Sequence, residues 1–229
     1  MATTTQLSEH EQTRTTRLAA AAFVIAPVIV LAFWLSGEPG YENPLFTWQH
    51  ASVVVSGVVL ALGVTALLYA GGRRLGVAGL AGAAFAYVGV ATSALWVPIA
   101  WQATVFARAD SSSLGVFTAL FSPMGSAYFV SVMGVYALAV AGLSLGLYRA
   151  GLAHRVPAGL GALVGVVSAV WMGYTLVAIF PEPITGVTIA LTVLQWAVVI
   201  PLGVSLYRRS GRPADATDAQ PQAAHGADD

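Results

Sequence analysis

Long apolar stretches alternate with short polar gaps along most of the chain. Six stretches carry no charged residue, and each is long enough for a helix to cross a bilayer core about 30 Å thick. They cover 18–37, 43–72, 75–107, 111–148, 156–181 and 183–207. Apolar and polar residues do not alternate at period two within them, as the strands of a membrane barrel require. The pattern predicts an all-α, polytopic integral membrane protein, a bundle of six transmembrane helices.

The predicted membrane domain covers 17–209. The first span is as long as a retained membrane helix, and no small-residue cleavage site follows it, so we do not interpret it as a signal peptide. The polar composition of 1–16 and 210–229 predicts disordered tails. The predicted spans are about 18–36, 48–70, 75–99, 124–148, 157–180 and 184–207.

The longest predicted loop joins the third span to the fourth. Residues 108–113 are too polar to lie in the hydrocarbon, and the serines at 111–113 are typical of a helix N-cap. The pattern therefore predicts a short interfacial helix over 114–121 that ends at Pro123.

Composition and charge add orientation to this picture. Hydrophobic residues make up 57% of the chain and charged residues 9%, against about 25% charged residues in soluble domains. Nine of the ten basic residues fall on one side of the six-span plot, and only Arg108 falls on the other. The positive-inside bias predicts that this side, with both termini, is cytoplasmic. Abundant Ala, Gly and Val without lysine favours a GC-rich prokaryote, and hence its plasma membrane.

Missing residue types exclude several kinds of chemistry. The chain has no cysteine, which excludes disulfides, thiol catalysis and cysteine-held metal clusters. All ten basic residues are arginines, so a lysine Schiff base is excluded as well. No phosphate-binding loop, catalytic triad or metalloprotease motif occurs.

A shift of 75 residues superimposes the second and third predicted spans on the fourth and fifth. Gly76 then meets Gly151, and the segment from Ser93 to Trp96 meets the one from Ser168 to Trp171. Either the spans form a parallel repeat, or two Ala/Gly/Val-rich stretches match by chance. In a true repeat, the two Ser/Trp pairs would face each other across the bundle axis, since residues three apart share a helix face.

Small residues also form two GxxxG motifs, Gly142 to Gly146 and Gly161 to Gly165. Such motifs allow helices to approach closely, but they do not by themselves indicate a dimer.

Few ionisable side chains lie near the predicted hydrocarbon. No Asp, Glu or Arg falls within a predicted span, and His50 stands at the outer start of the second one. His50 is either a proton switch or a metal or haem ligand, or else an interfacial histidine hydrogen-bonded near the headgroups. A haem held by two histidines needs a second intramembrane histidine, which the sequence lacks. We expect no metal and no cofactor.

Aromatic and amide side chains supply the remaining candidates. Aromatic residues at the outer span ends form either a ligand pocket or the interfacial belt of membrane helices. Gln195, near the middle of the sixth span, needs a hydrogen-bonding partner and serves either helix packing or a substrate path. The candidate ligand-binding residues are His50, Ser93, Trp96, Ser168, Trp171 and Gln195.

These observations favour a non-enzymatic membrane protein, either a small membrane subunit or a protein that binds lipid or a small ligand. Its expected partners are the bilayer and a membrane protein or second copy, without nucleic acid. One alternative is a transporter or channel, which the possible parallel repeat, the prolines within spans and Gln195 favour. Because the spans carry no charge, its solute would be uncharged or weakly polar. Another is a membrane enzyme or redox protein centred on His50.

Overall fold

The structure, a computed structural model, describes residues 8–36, 46–109, 111–179 and 186–210. Within these ranges, it describes the side chains of all residues except 46–47, 49–50, 73, 96–97, 99–124 and 179. The described residues are almost entirely helical and include no strand. Six helical segments are long and apolar enough to cross a membrane, which confirms the predicted fold class.

Seven α-helices build these six segments. They are α1 (Glu9–Trp34), α2 (Phe46–Gly71), α3 (Gly76–Ala109), α4 (Ser111–Arg149), α5 (Arg155–Tyr174), α6 (Gly186–Ala197) and α7 (Val199–Arg209). A 3₁₀ turn (Gly72–Leu75) joins α2 to α3, and a π-helical turn (Thr175–Ile179) follows α5. Helices α6 and α7 together form the sixth span.

The spans form a closed ring in chain order. Each helix packs against the next, and α1 closes the ring by packing against α7 and α6. Helix α4 is the most enclosed: 67% of its apolar window is buried, against 33–44% in the other spans. Side chains that point inward from α4 therefore determine what occupies the middle of the bundle.

The first helix begins earlier than expected. We expected disorder throughout 1–16, but α1 starts at Glu9. A capping box stabilises this start, since Ser8 and Glu11 each accept from the other's backbone N–H. The Gln12 side chain also donates to the carbonyl of Ala70, 2.7 Å away, at the end of α2. Residues 1–7 and the predicted tail from 211 onward lie outside the described residues.

The predicted loop between the third and fourth spans is also corrected. Helix α3 continues to Ala109 and α4 begins at Ser111, so no separate short helix covers 114–121, and α4 continues past residue 123. At 1.5 Å per residue, α3 and α4 are about 51 and 58 Å long, longer than the bilayer core is thick. Polar residues end a membrane span but not a helix, because the helical backbone hydrogen bonds continue in water.

The start of α1 lies beside the end of α2 and the end of α7, and the start of α5 lies beside the end of α7 as well. We call this end of the bundle the basic end. Arg17 lies over the ring of Tyr207, with 5.5 Å between guanidinium carbon and ring centroid, and the His154 backbone N–H donates to Ser205. Both described chain ends therefore lie on the same side of the bundle. The side chains of seven arginines belong to this end: Arg14, Arg17, Arg74, Arg149, Arg155, Arg208 and Arg209.

Both GxxxG motifs are used inside the chain. A Cβ on Gly142 would lie 2.7 Å from the carbonyl oxygen of Ala78 and from the Cα of Gly82, both on α3. A Cβ on Gly165 would lie 2.7 Å from the backbone of Ala137 and Ala141 on α4. These glycines let α3 and α5 approach α4 on two sides, which leaves neither motif free for a second copy.

The turns at the basic end share one feature of the proposed repeat. Gly76 and Gly151, which the 75-residue shift superimposes, have φ angles of 62° and 71°. Such angles favour glycine, because a Cβ would clash with the backbone. The shared geometry agrees with duplication but also suits two unrelated tight turns, so the repeat stays a prediction.

Candidate functional site

The centre of the bundle is occupied by Tyr136 of α4. Its side chain is 1% exposed and fits against two glycines on neighbouring helices. A methyl group on Gly57 of α2 would overlap the Tyr136 hydroxyl, and one on Gly89 of α3 would lie 2.9 Å from the ring. The phenol therefore joins three helices, and no larger residue fits at either glycine without displacing it.

Ser93 contacts this tyrosine. The Ser93 and Tyr136 hydroxyl oxygens lie 3.2 Å apart, and either can be the donor. The Ser93 hydroxyl also lies 2.7 Å from the carbonyl of Gly89, one turn earlier in α3. Since a buried hydroxyl needs a partner in a membrane interior, this pair accounts for the polar end of Tyr136.

Gln195 and Trp196 of α6 approach the same face of α4. The Gln195 amide donates to the carbonyl of Met133 at 3.3 Å, and the Trp196 ring lies 5.1 Å from the Tyr136 ring between centroids. Both side chains are almost fully buried, at 1% and 3% exposure. Gln195 Oε1 and Trp196 Nε1 nevertheless have no hydrogen-bonding partner among the described residues. An acceptor and a donor on consecutive residues thus stay unpaired inside the bundle.

The run of backbone hydrogen bonds in the sixth span is interrupted directly after this pair. Helix α6 ends at Ala197 and α7 begins at Val199, while Val198 between them keeps helical backbone angles and its N–H donates to the carbonyl of Leu194 at 3.0 Å. Pro201 has no N–H to donate to the carbonyl of Ala197, four residues earlier, so that carbonyl lacks its usual helical partner. The interruption lies about halfway along the span from Gly186 to Arg209. A proline within a membrane helix thus leaves one backbone carbonyl without its helical hydrogen bond.

We refer to Gln195, Trp196 and the carbonyl of Ala197 as the kink site. It holds one unpaired N–H donor and one unpaired side-chain oxygen, beside a carbonyl to which Pro201 cannot donate, and no charged side chain is among its members. Tyr136 and Ser93 adjoin it through the Trp196 ring. Chemically, such a site can hydrogen-bond a small uncharged molecule, but it carries no acid, base or nucleophile.

The two serines of the predicted Ser/Trp pairs do not meet. Ser93 approaches α4 from α3, whereas Ser168 is buried on the face of α5 that packs against α4. Among the described residues, α3 and α5 make no contact, and α4 lies between them. The Ser168 hydroxyl has no hydrogen-bonding partner there. The two serines therefore belong to separate interfaces.

Trp171 serves the contact between α5 and the sixth span. Its indole N–H donates to the Thr188 hydroxyl at 3.0 Å, and its ring lies 5.9 Å from that of Tyr174. Tyr174 is exposed, whereas Trp171 is half-buried. This arrangement suits helix association near a membrane interface.

Two candidates cannot be placed. The side chains of His50 and Trp96 lie outside the described residues, so the role of each stays a prediction. Trp48, two residues before His50, is 60% exposed, as expected for a member of an aromatic belt. No group of three or more metal-ligating side chains occurs in the part of the chain that the structure describes.

The sequence analysis names Gln195 and Ser93 as candidates but not Tyr136, which contacts Ser93 and the Trp196 ring. One signal was available: Tyr136 stands in the middle of a predicted span, whereas membrane tyrosines are enriched at interfaces. A tyrosine at that depth requires a hydrogen-bonding partner, and it implies small residues on the helices around it. The choice of Gly57 and Gly89 among many glycines depends on helix rotation, which the sequence does not give.

No known protein family, curated protein or solved structure matches the chain.

Proposed function

We propose that this is a non-enzymatic membrane protein that binds a small, weakly polar ligand inside its helix bundle, alone or as a membrane subunit. The observation that carries the proposal is the unpaired donor and acceptor of Trp196 and Gln195. Each such group costs about 1–3 kcal/mol when buried without a partner. A ligand that hydrogen-bonds to both would offset this cost.

The chemistry of the kink site limits the ligand class. The kink site has no charged side chain that could pair with a charged ligand. Burying an ion without such a partner costs free energy, so a charged ligand is disfavoured. The adjacent Tyr136 and Trp196 rings provide apolar contact. An amide, alcohol or ketone with an apolar body, rather than an ion or a sugar, suits this combination.

A thermal-unfolding screen tests the proposal. The purified protein is heated in mild detergent with primary amides, alcohols and ketones of roughly four to twelve carbons. A binding compound raises the midpoint of unfolding of the wild type, because ligands stabilise the state they bind. The increase should be lost in Trp196→Phe and kept in Trp171→Phe, which removes an indole outside the kink site. Equal increases in both variants would contradict binding at this site.

A transporter of uncharged solutes is the second candidate. The unpaired polar groups of Gln195 and Trp196 beside a mid-span proline favour it, because an uncharged solute could hydrogen-bond to them inside the membrane. Without charged groups for ion coupling, the solute would move down its gradient. Proteoliposomes should then take up a short-chain amide faster than empty vesicles, and Gln195→Leu should remove the difference. Equal uptake by loaded and empty vesicles would count against transport.

The third hypothesis is a redox protein or enzyme centred on His50. It is supported only by the position of His50 at the start of the second span in the sequence. His50→Ala would test it through any bound chromophore in the purified protein. Orientation is likewise a proposal: the arginines of the basic end support placing that end, with both termini, at the cytoplasmic face of a prokaryotic plasma membrane. Labelling of a cysteine introduced at Ser210 by an impermeant reagent in intact cells would contradict this orientation.

A further inference from the structure

A groove opens at the basic end, between the beginning of α5 and the end of the sixth span. Its volume is about 610 Å³, within the range of roughly 300–1,000 Å³ that is usual for ligand sites. It shares none of the residues of the kink site, but its deep end is lined by Pro201, one helical turn after Ala197.

Both walls of the groove change from polar to apolar with depth. Along α7, Arg208 stands at the mouth, Val204 lies one turn deeper, and Ile200 a further turn deeper. Along α5, His154 at the mouth is followed by Pro157 and Leu160. Polar groups therefore face the headgroup level and apolar ones the hydrocarbon, as in a phospholipid.

In the part of the chain that the structure describes, no carboxylate lines the groove beside Arg208 and Arg209. Arg208 is exposed, and the carboxylates among the described residues are those of Glu9 and Glu11 in the first turn of α1. Glu11 is held there by Ser8, whose hydroxyl donates to it at 2.8 Å. The described part of the groove is thus basic and complementary to a phosphate group.

Hydrogen bonds hold the mouth in place. The His154 N–H donates to the Ser205 hydroxyl at 2.7 Å and so joins the two walls. Arg209 donates to the carbonyl of Gly151 at 3.0 Å. The Nδ1 atom of His154 accepts from the N–H of Val156 at 3.3 Å, which leaves Nε2 as the protonated ring nitrogen, a donor. The mouth is therefore preorganised before a ligand arrives.

We propose that this groove binds one anionic phospholipid from the leaflet at the basic end. The phosphate interacts with Arg208 and the His154 imidazole, and an acyl chain lies against Leu160 and Val204. An anionic headgroup is preferred over a zwitterionic one, because no described carboxylate at the mouth would pair with a choline.

Native mass spectrometry of the full-length protein tests this inference, with phosphatidylglycerol and phosphatidylcholine titrated separately in mild detergent. We expect one phosphatidylglycerol per chain, bound about fivefold more tightly than phosphatidylcholine, the effect of one arginine near an anionic headgroup. Arg208→Gln should remove the preference. Arg74→Gln, an exposed arginine of the same end outside the groove, should keep it. Equal losses in both variants would indicate diffuse attraction and overturn the proposal.

A second pair of variants tests the apolar wall. Leu160→Trp fills the groove and should abolish binding of the single lipid, whereas Leu163→Trp, on the same helix outside the groove, should not. Displacement of phosphatidylglycerol by millimolar inorganic phosphate would assign the site to a free anion and overturn the lipid assignment. A lipid-free dimer lost in Leu160→Trp would assign the groove to a second copy and overturn it too.

Discussion

The hydroxyl oxygens of Tyr136 and Ser93 lie 3.2 Å apart, where α4 and α3 meet in the centre of the bundle. This contact orients the tyrosine ring against Gly57, Gly89 and Trp196. From α4, the Tyr136 side chain thus contacts α2, α3 and, through the Trp196 ring of the kink site, α6.

Gly57→Ala should destabilise the bundle by about 1–3 kcal/mol, the usual cost of overpacking. The added methyl group would overlap the Tyr136 hydroxyl. Tyr136→Phe removes that hydroxyl, so the double variant should regain part of the loss. The free energy of unfolding, measured by SDS titration in mixed micelles, reports both effects. Additive losses in the double variant would show that the two residues do not interact.

Gly142→Ala should cost a similar amount, about 1–3 kcal/mol, for a different reason. Its Cβ would approach the backbone of Ala78 and Gly82, both at 2.7 Å, and backbone moves less easily than a side chain. Gly173→Ala is the matched control, since nothing lies within 4 Å of a Cβ there. The same unfolding titration separates them, and equal stability of the two variants would contradict the close approach of α3 to α4.

Gly151→Ala isolates backbone strain from packing. No atom lies within 4 Å of a Cβ at this position, but its φ angle of 71° is unfavourable for alanine by about 1–2 kcal/mol. Gly159→Ala has open space and a helical backbone, so it should stabilise by up to about 1 kcal/mol. Opposite signs in thermal unfolding are the expected result. A stabilised Gly151→Ala would mean that the turn is not left-handed in solution.

Trp171→Phe should weaken the contact between α5 and α6 modestly. It removes the indole donor 3.0 Å from the Thr188 hydroxyl, and hydrogen bonds between membrane helices contribute about 0.6 kcal/mol on average. A double-mutant cycle with Thr188→Val measures the coupling, since Thr188 has further interactions that single variants also disturb. A coupling energy of zero would show that the pair does not bond.

The fold could be predicted because membrane insertion depends on length and hydrophobicity. The charge-free stretches identify all six spans without knowledge of packing. Helix ends outside the bilayer could not be predicted in the same way. The polar residues at 108–113 predict a loop. In the structure, α3 instead extends to Ala109 and α4 already begins at Ser111.

The candidate site was predictable only in part. A mid-span glutamine needs a hydrogen-bonding partner, and the Gln195 amide donates to the carbonyl of Met133 on α4, while its role in ligand binding stays a prediction. Partners across helices depend on rotation about each helix axis, which a uniformly apolar sequence leaves open. For that reason Ser93 was paired with Trp96 along its own helix, while its observed partner is Tyr136 on α4.

The central claim, that the kink site binds a small molecule, is tested most directly by what the protein retains on purification. Native mass spectrometry of the chain, extracted from its native membrane in mild detergent, measures this. We expect a stoichiometric added mass of a few hundred daltons in the wild type and in Trp171→Phe, and its loss in Trp196→Phe and Gln195→Leu. Spectra that show only lipid, or an added mass retained in all variants, would contradict ligand binding at Gln195 and Trp196.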